Sequence, residues 1–320
     1  MSEDLDGPAA PDPSVVAVLV SHRPDLALLR ASLDALAAQA GWVVVVDNAS
    51  PGSGVRGICA AYRNVELVPL PENRGLAAAL NEGIAHARAR SGVSHVLLMD
   101  QDSVPEAGMV DALKRVMDRL AETRKVAAVG PRFRDPREAS DAPFVRIRFP
   151  VNRQLLCDGD RAEVACDFLI TSGSLIPLAV LHAVGGMEEG LFIDNIDLEW
   201  CFRAVDRGYE LFGVCDARML HHHGAERQRV PGLPRGIVVH TPRRLFYMMR
   251  NRVLLYRRAY TPKRWVAQDL PRVIVKLLLF SLLVPPRRAN LRCMLRGLRA
   301  GVRGRTGALP GDIEPGDRGA

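Results

Sequence analysis

The sequence predicts an α/β domain, with a mostly parallel central sheet flanked by helices and a helical extension at the C-terminal end. Three observations carry that prediction. Short apolar runs alternate with segments whose apolar residues recur at helical spacing, the pattern of strands joined by helical crossovers. The runs are continuous rather than alternating, which suits strands covered on both faces. Polar residues follow the runs directly, at what would be one common edge of the sheet, where open α/β sheets bind ligands.

In chain order, VVAVLV (15–20) opens the fold as a buried strand. Residues 1–13 before it are acidic and proline-rich, and are expected to form a disordered lead-in. They lack the basic start and apolar core of a signal peptide. Residues 26–40 read as a helix, and 42–46 as a second strand that stops at Asp47-Asn48. A third strand is expected at 65–70, an alanine-rich helix at 76–90, and a fourth strand at 95–99, stopping at Asp100. Residues 110–123 suit a helix and 126–129 another strand. The stretch 132–165 is less regular and fits edge strands or a flap. Residues 168–176 are apolar again, 194–207 read as a helix, and 245–260 and 265–301 are helical with a break at Pro285-Pro286. The expected organisation is a domain over 14–245, a basic helical extension over 246–305 and a flexible tail over 306–320.

Nearly half the residues (48%) are hydrophobic and 25% are charged, so the chain can bury one large core. The net charge of +7 conceals an asymmetry. Residues 1–226 hold 22 Lys and Arg against 32 Asp and Glu, whereas 227–305 hold 20 against Asp269 alone. An acidic body with a basic end calls for an anionic partner at that end. The cysteines at 59, 157, 166, 201, 215 and 293 show no CxxC and no metal-ligand spacing, and read as reduced core residues of a cytosolic protein.

Asp100-Gln101-Asp102 is the strongest local signal. Two carboxylates at i and i+2 leaving a strand can turn toward one Mg²⁺ or Mn²⁺, ions that prefer oxygen ligands and are shared with substrate phosphates. An Asp or Asn after a strand also starts an ordinary turn. Three such sites at one edge, Ser21-His22, Asp47-Asn48 and Asp100 to Asp102, favour a ligand. Asn73-Arg74-Gly75 leads into a helix, where Gly75 permits close backbone approach and Arg74 could pair with phosphate.

Seven segments in order, VLVSHRP (18–24), VVVDNAS (44–50), ENRGLAAALNEGI (72–84), LLMDQDS (97–103), SGSLIP (172–177), GLFIDNIDLEWCFRA (190–204) and YMMRNRVLLY (247–256), resemble the family 2 glycosyltransferases, whose fold is the Rossmann-like GT-A type. DQDS, FID–x–x–D–x–EW and the late Y–x–x–RN are similar to the bacterial rhamnosyltransferase branch. The resemblance implies an inverting transferase using a nucleotide sugar, with dTDP-L-rhamnose as donor and a cell-surface polysaccharide or lipid-linked glycan as acceptor. A UDP- or GDP-sugar donor stays open, as do a catalytically inactive nucleotide-binding scaffold and a basic nucleic-acid-binding protein. Ser21, Asp47, Asn48, Asn73 and Gly75 would line the nucleotide pocket, and Asp100 and Asp102 would hold the metal that bridges the donor diphosphate. Asp197 would be the base that takes the acceptor's proton, with Glu199 as its rival. Asp194 and Asp197 also fit a capping-box-like helix start, where the helix N-terminus would favour an ionised Asp197. His221, first of three adjacent histidines, is implied as a further metal ligand, and Arg250 as a forked phosphate contact.

Residues 273–284, VIVKLLLFSLLV, are strongly apolar but too short to span a bilayer, which takes about twenty residues. Flanked by Arg272, Arg287, Arg288, Arg292, Arg296 and Arg299, they read as an interfacial segment meeting anionic lipid. A core-packing helix followed by a solvated basic one is the alternative. Nucleic acid is a poor partner, because no binding motif is present and the helix is too oily for a groove. The enzyme is therefore expected in the cytoplasm, peripheral on the inner membrane. QxxRW, the motif of processive synthases, is absent.

Overall fold

The computed structural model describes residues 10–312 except 139, 160, 223–226 and 231–232. The first half is built as β1 (Asp12–Ser21), α1 (Leu26–Ala37), β2 (Ala40–Asp47), α2 (Gly54–Cys59), β3 (Val65–Pro69), α3 (Leu76–Arg88), β4 (His95–Asp100), β5 (Ser103–Pro105), α4 (Met109–Ala121) and β6 (Val126–Arg134). A two-stranded ribbon follows, β7 (Phe144–Arg146) and β8 (Arg153–Leu155), then β9 (Glu163–Cys166), β10 (Ser174–Pro177), α5 (Leu178–Val184) and α6 (Ile196–Asp206). The chain continues through β11 (Glu210–His221), the pair β12 (Arg227–Val230) and β13 (Leu233–Val238), and three helices, α7 (Pro242–Tyr256), α8 (Lys263–Leu282) and α9 (Arg287–Val302).

The central sheet runs β3-β2-β1-β4-β10-β6-β11-β5, with β9 also on β11. β3, β2, β1 and β4 are mutually parallel, and β6 and β11 form a second parallel pair. β10 lies antiparallel between β4 and β6. Continuous apolar strands are explained by burial on both faces. Val16, Val18 and Val20 pack on one side with Leu80 and Ile84 of α3, while Val15, Ala17 and Leu19 pack on the other with Leu29 and Leu33 of α1. Full burial of each such valine, leucine or isoleucine side chain contributes about 1.5–3 kcal/mol.

The register places the polar residues. Ser21 stands opposite Asp47 across β1 and β2, and Val20 opposite Asp100 across β1 and β4. The three strands therefore end together, and whatever follows them faces one crevice.

The C-terminal helices form their own apolar centre from Leu245, Met249, Val273, Phe280, Val284 and Met294. α9 lies close against α7 because Gly297 and Gly301 face it. A Cβ at Gly297 would stand 2.4 Å from the Phe246 carbonyl oxygen, and one at Gly301 2.7 Å from that of Arg250. Among the described residues no helix is long and apolar enough to cross a membrane.

Three expectations need correction here. Asp12 and Pro13, placed in the lead-in, already belong to β1, where Asp12 N donates to Gln39 O at 3.0 Å. Residues 306–312, assigned to a flexible tail, are held against α7: Tyr247 and Arg243 both bind Asp312, and Gly307 O accepts from Arg250. Cys157 and Cys215 are bonded, so not all six cysteines are free. β9 pairs with β11 and brings the chain after β8 beside Cys215, a contact that 58 residues of separation do not betray. The outer segments 1–9 and 313–320, and His223 of the histidine run, lie outside the described residues.

Candidate active site

At the strand edge, Asp47 is buried and its Oδ1 accepts from Ser21 Oγ at 2.8 Å and Ser50 Oγ at 2.5 Å. Two hydroxyls on one oxygen fix the carboxylate's orientation at the crevice floor. Asn48 ties this turn to the next: its Nδ2 donates to Asn73 Oδ1 at 2.9 Å, and its Oδ1 accepts from Arg74 N at 2.8 Å. Asn73 Oδ1 also accepts from Gly75 N at 3.0 Å. Gly75 has φ +85°, and a Cβ there would stand 2.5 Å from Phe192 Cδ2 and 2.7 Å from its carbonyl oxygen. The close approach foreseen for Gly75 is thus made to the chain itself. Arg74 points to Glu82 at 3.2 Å on the surface.

The Asp100–Asp102 turn meets His221 because β5 pairs antiparallel with β11, Ser103 opposite His221. Ser103 Oγ lies 2.6 Å from His221 Nδ1 and accepts from Ser172 Oγ at 2.7 Å; Ser172 Oγ in turn lies 3.1 Å from Asp100 N and accepts its hydrogen. This relay of two serines holds the turn and the imidazole in register. Asp100, Asp102 and His221 each bring one ligand atom within 4.8 Å of the others. Burial, then the charges of Asp102 and Asp197, push the Asp100 carboxyl up to about 7, against the opposing pull of Arg244. Crowded, desolvated carboxylates with an imidazole are a donor set that one divalent cation relieves and fits.

Asp197 sits in the first turn of α6, at the end of a loop with unusual backbone. Phe192, Asp194 and Asn195 have φ of 65°, 65° and 63°, a left-handed region that costs L-residues energy and persists where surroundings enforce it. The enforcement comes from α7. Asn251 Nδ2 lies 3.0, 2.7 and 2.9 Å from the carbonyl oxygens of Leu191, Ile193 and Asp194. Arg250 donates to Leu191 O at 2.8 Å, Gly190 O at 3.2 Å and Gly307 O, and its guanidinium stacks 4.8 Å over the Tyr247 ring.

Arg250 therefore does not take the place expected for a phosphate contact. It is buried at 2% exposure and bonded to carbonyls, and burial pulls it down to about 10. The arginine in the field of the acids is Arg244, six residues earlier on α7, which grips Asp194 at 3.0 Å and feels both Asp100 and Asp102. Sequence reasoning missed Arg244, as it missed Ser50, Ser103 and Ser172, although the three serines lie inside the motif segments.

The capping-box start also fails. Asn195 is the N-cap and makes no side-chain capping bond, while Asp194 turns away to Arg244. Asp197 Oδ1 accepts from Leu198 N at 2.8 Å, yet burial outweighs that bond and pushes the carboxyl up to about 6. The helix start does not win, contrary to expectation. A carboxylate with a pKa near 6 is ionised at neutral pH and is a better base than a solvated one. Glu199, the rival, is fully buried, forked to Arg203 at 2.8 and 2.9 Å, and bonded by Tyr260. Its oxygens serve the packing of α6.

The family model described as glycosyl transferase family 2 matches residues 17–168, from β1 through the metal-type turn to β9. The dTDP-rhamnosyl transferase RfbF of Shigella flexneri is 30% identical over 298 residues, covering 92% of this chain and 97% of that protein. The chain belongs to glycosyl transferase family 2. Solved structures agree on the fold. A GalNAc-T7 crystal structure with UDP, GalNAc and Mn²⁺ is 12% identical at TM-score 0.57 over 91% of this chain, and S. aureus TarS 13% identical at 0.52 over 84%. This chain spans 56% and 44% of those two chains, and 92% of the TarS 1–349 chain, which it matches at TM-score 0.52 and 13% identity over 91% of its own length. At such identities the likeness is one of fold, the GT-A type. A family 2 transferase acts on a nucleotide-sugar donor and a glycan acceptor, and the crevice at the ends of β1, β2 and β4 brings Ser21, Asp47 and Asp100 together.

Proposed function

We propose that the protein is an inverting rhamnosyltransferase that moves L-rhamnose from dTDP-L-rhamnose to a hydroxyl of a cell-surface polysaccharide or lipid-linked glycan, on the cytoplasmic face of the inner membrane. The observation that carries the chemistry is Asp197, whose carboxyl is pushed by burial up to about 6 and whose charge helps raise that of Asp100. The donor reading is supported by the likeness to RfbF across nearly the whole chain.

In this reading Asp47, oriented by Ser21 and Ser50, anchors the base or ribose, and Asn48, Asn73 and Gly75 wall the nucleotide pocket. Asp100, Asp102 and His221 would hold Mg²⁺ or Mn²⁺, which supplies positive charge for the leaving diphosphate. Asp197 accepts the proton of the acceptor hydroxyl as its oxygen bonds to the anomeric carbon and the bond from that carbon to the diphosphate breaks. Attack opposite the leaving group inverts the anomeric configuration. Arg244 adds positive charge at the same crevice while fixing Asp194.

The test is a thermal-shift comparison of dTDP-rhamnose with UDP-, GDP- and CMP-sugars, with and without Mn²⁺. A ligand of the native state raises its stability by mass action. The largest metal-dependent rise is expected with dTDP-rhamnose. A larger rise with another nucleotide sugar would keep the enzyme class and replace the donor.

A further inference from the structure

Helix α8 turns to solvent a row of side chains that a packed helix hides. Leu270, Ile274, Leu278 and Leu282 follow one another at four-residue steps and are 48% to 60% exposed. The row runs about 18 Å along one side of the helix. Helix α9 adds Leu291, Leu295 and Val302, also exposed, spaced four and seven residues apart. At about 100° per residue, Arg288, Arg292 and Arg299, with Arg303 at the C-cap, form a second exposed row just round the helix from those three. Lys263 and Arg264, both exposed, stand at the start of α8. Asp269, the one acid of this extension, is buried and bound by Arg252 and Tyr256, so it offsets none of the surface charge.

We infer that the α8–α9 face docks on an anionic lipid bilayer, with the leucine row of α8 set into the boundary of headgroups and acyl chains and the arginines of α9 on lipid phosphates. The inference deepens the proposed function by naming the surface through which the enzyme would reach a lipid-linked acceptor, and it rests on that reading for the acceptor alone. Charge and oiliness together select the occupant. Polybasic segments gain attraction from anionic lipid, and exposed apolar helix faces gain burial. A second copy of the chain would set one arginine row against another, and a nucleic acid would leave the leucines wet. α9 packs on α7, and α7 holds the 190–195 loop through Arg250 and Asn251, so one helix links the docking face to the loop before Asp197.

The test is sedimentation of the full-length protein with phosphatidylglycerol–phosphatidylcholine vesicles and with phosphatidylcholine vesicles alone. Two variants accompany it, Ile274→Glu with Leu278→Glu, and Arg292→Glu with Arg299→Glu. Binding to the anionic vesicles should exceed binding to neutral ones by about tenfold or more, weaken with salt, and fall by about tenfold in each double variant. The thermal shift with dTDP-rhamnose, measured on the same samples, should be unchanged. Equal partition of wild type and both variants would overturn the inference. So would a dimer in sedimentation velocity that the Ile274→Glu, Leu278→Glu pair dissociates, since that would make the face a self-interface. Absence of any donor shift, with vesicle binding intact, would count against the donor reading and leave the docking face standing.

Discussion

The side-chain nitrogen of Asn251 lies 2.7 Å from the carbonyl oxygen of Ile193, and through that contact helix α7 holds the left-handed loop from which Asp197 rises. Replacing Asn251 by Ala removes the donor shared by three carbonyls. A buried carbonyl left without its partner costs about 1–3 kcal/mol, which is a fall of roughly 5 °C in Tm for a domain of this size. The Asp47 and Asp100 sides of the crevice are untouched. We predict that kcat falls about tenfold or more while the KM for donor changes little. Steady-state kinetics beside a melting curve checks both.

Gly75 and Phe192 make the complementary contact from the start of α3. Gly75→Ala places a Cβ 2.7 Å from a backbone oxygen, at φ +85°, so both the backbone and its neighbour must move. The expected cost is about 1–3 kcal/mol, with weaker donor binding because the Asn73 turn shifts. Calorimetric titration with the nucleotide diphosphate measures the second effect.

The carboxyls give a pH dependence with a definite sign. With Asp197 as the proposed base, kcat should decline as pH falls through about 6. Divalent-ion affinity should rise as pH passes upward through about 7, where Asp100 ionises. Stability runs the other way. Both folded-state values lie above the ordinary carboxylate value of 3.8, so the contribution of these groups is full below about 4 and is lost as pH rises through 6 to 7. Asp197→Asn should therefore melt higher than wild type at pH 7.5 and converge with it near pH 4.

Cys157 and Cys215 clamp the segment after β8 to strand β11. Purified without reductant, the protein should yield a linked peptide containing both, with Cys59, Cys166, Cys201 and Cys293 alkylated. Closing a 58-residue loop stabilises a fold by about 4 kcal/mol in the chain-entropy account, so reduction should lower Tm. A reducing cytoplasm would keep the pair as thiols. Alkylation in intact cells therefore tests the proposed location.

The strand-edge half of the site was legible because apolar runs stop at charged or amide side chains, and parallel β1, β2 and β4 must end together. Ser21, Asp47 and Asp100 follow from that alone. The α7 half was not. Arg244 and Arg250 are six residues apart on one basic helix, and nothing in their spacing tells which faces the acids and which is buried under the 190–195 loop. The positive φ of Asp194 and Asn195 was equally hidden, since neither is glycine, and without it the segment reads as a capped helix start. The disulfide depends on strand pairing far along the chain.

The central claim is that Asp197 removes the acceptor's proton, and kinetics of Asp197→Asn with binding measured alongside test it most directly. The amide keeps the shape and cannot accept the proton. Transfer should fall by about a hundredfold or more, with the thermal shift produced by dTDP-rhamnose and Mn²⁺ preserved. A folded Asp197→Asn enzyme that binds donor and transfers sugar at the wild-type rate would contradict the account.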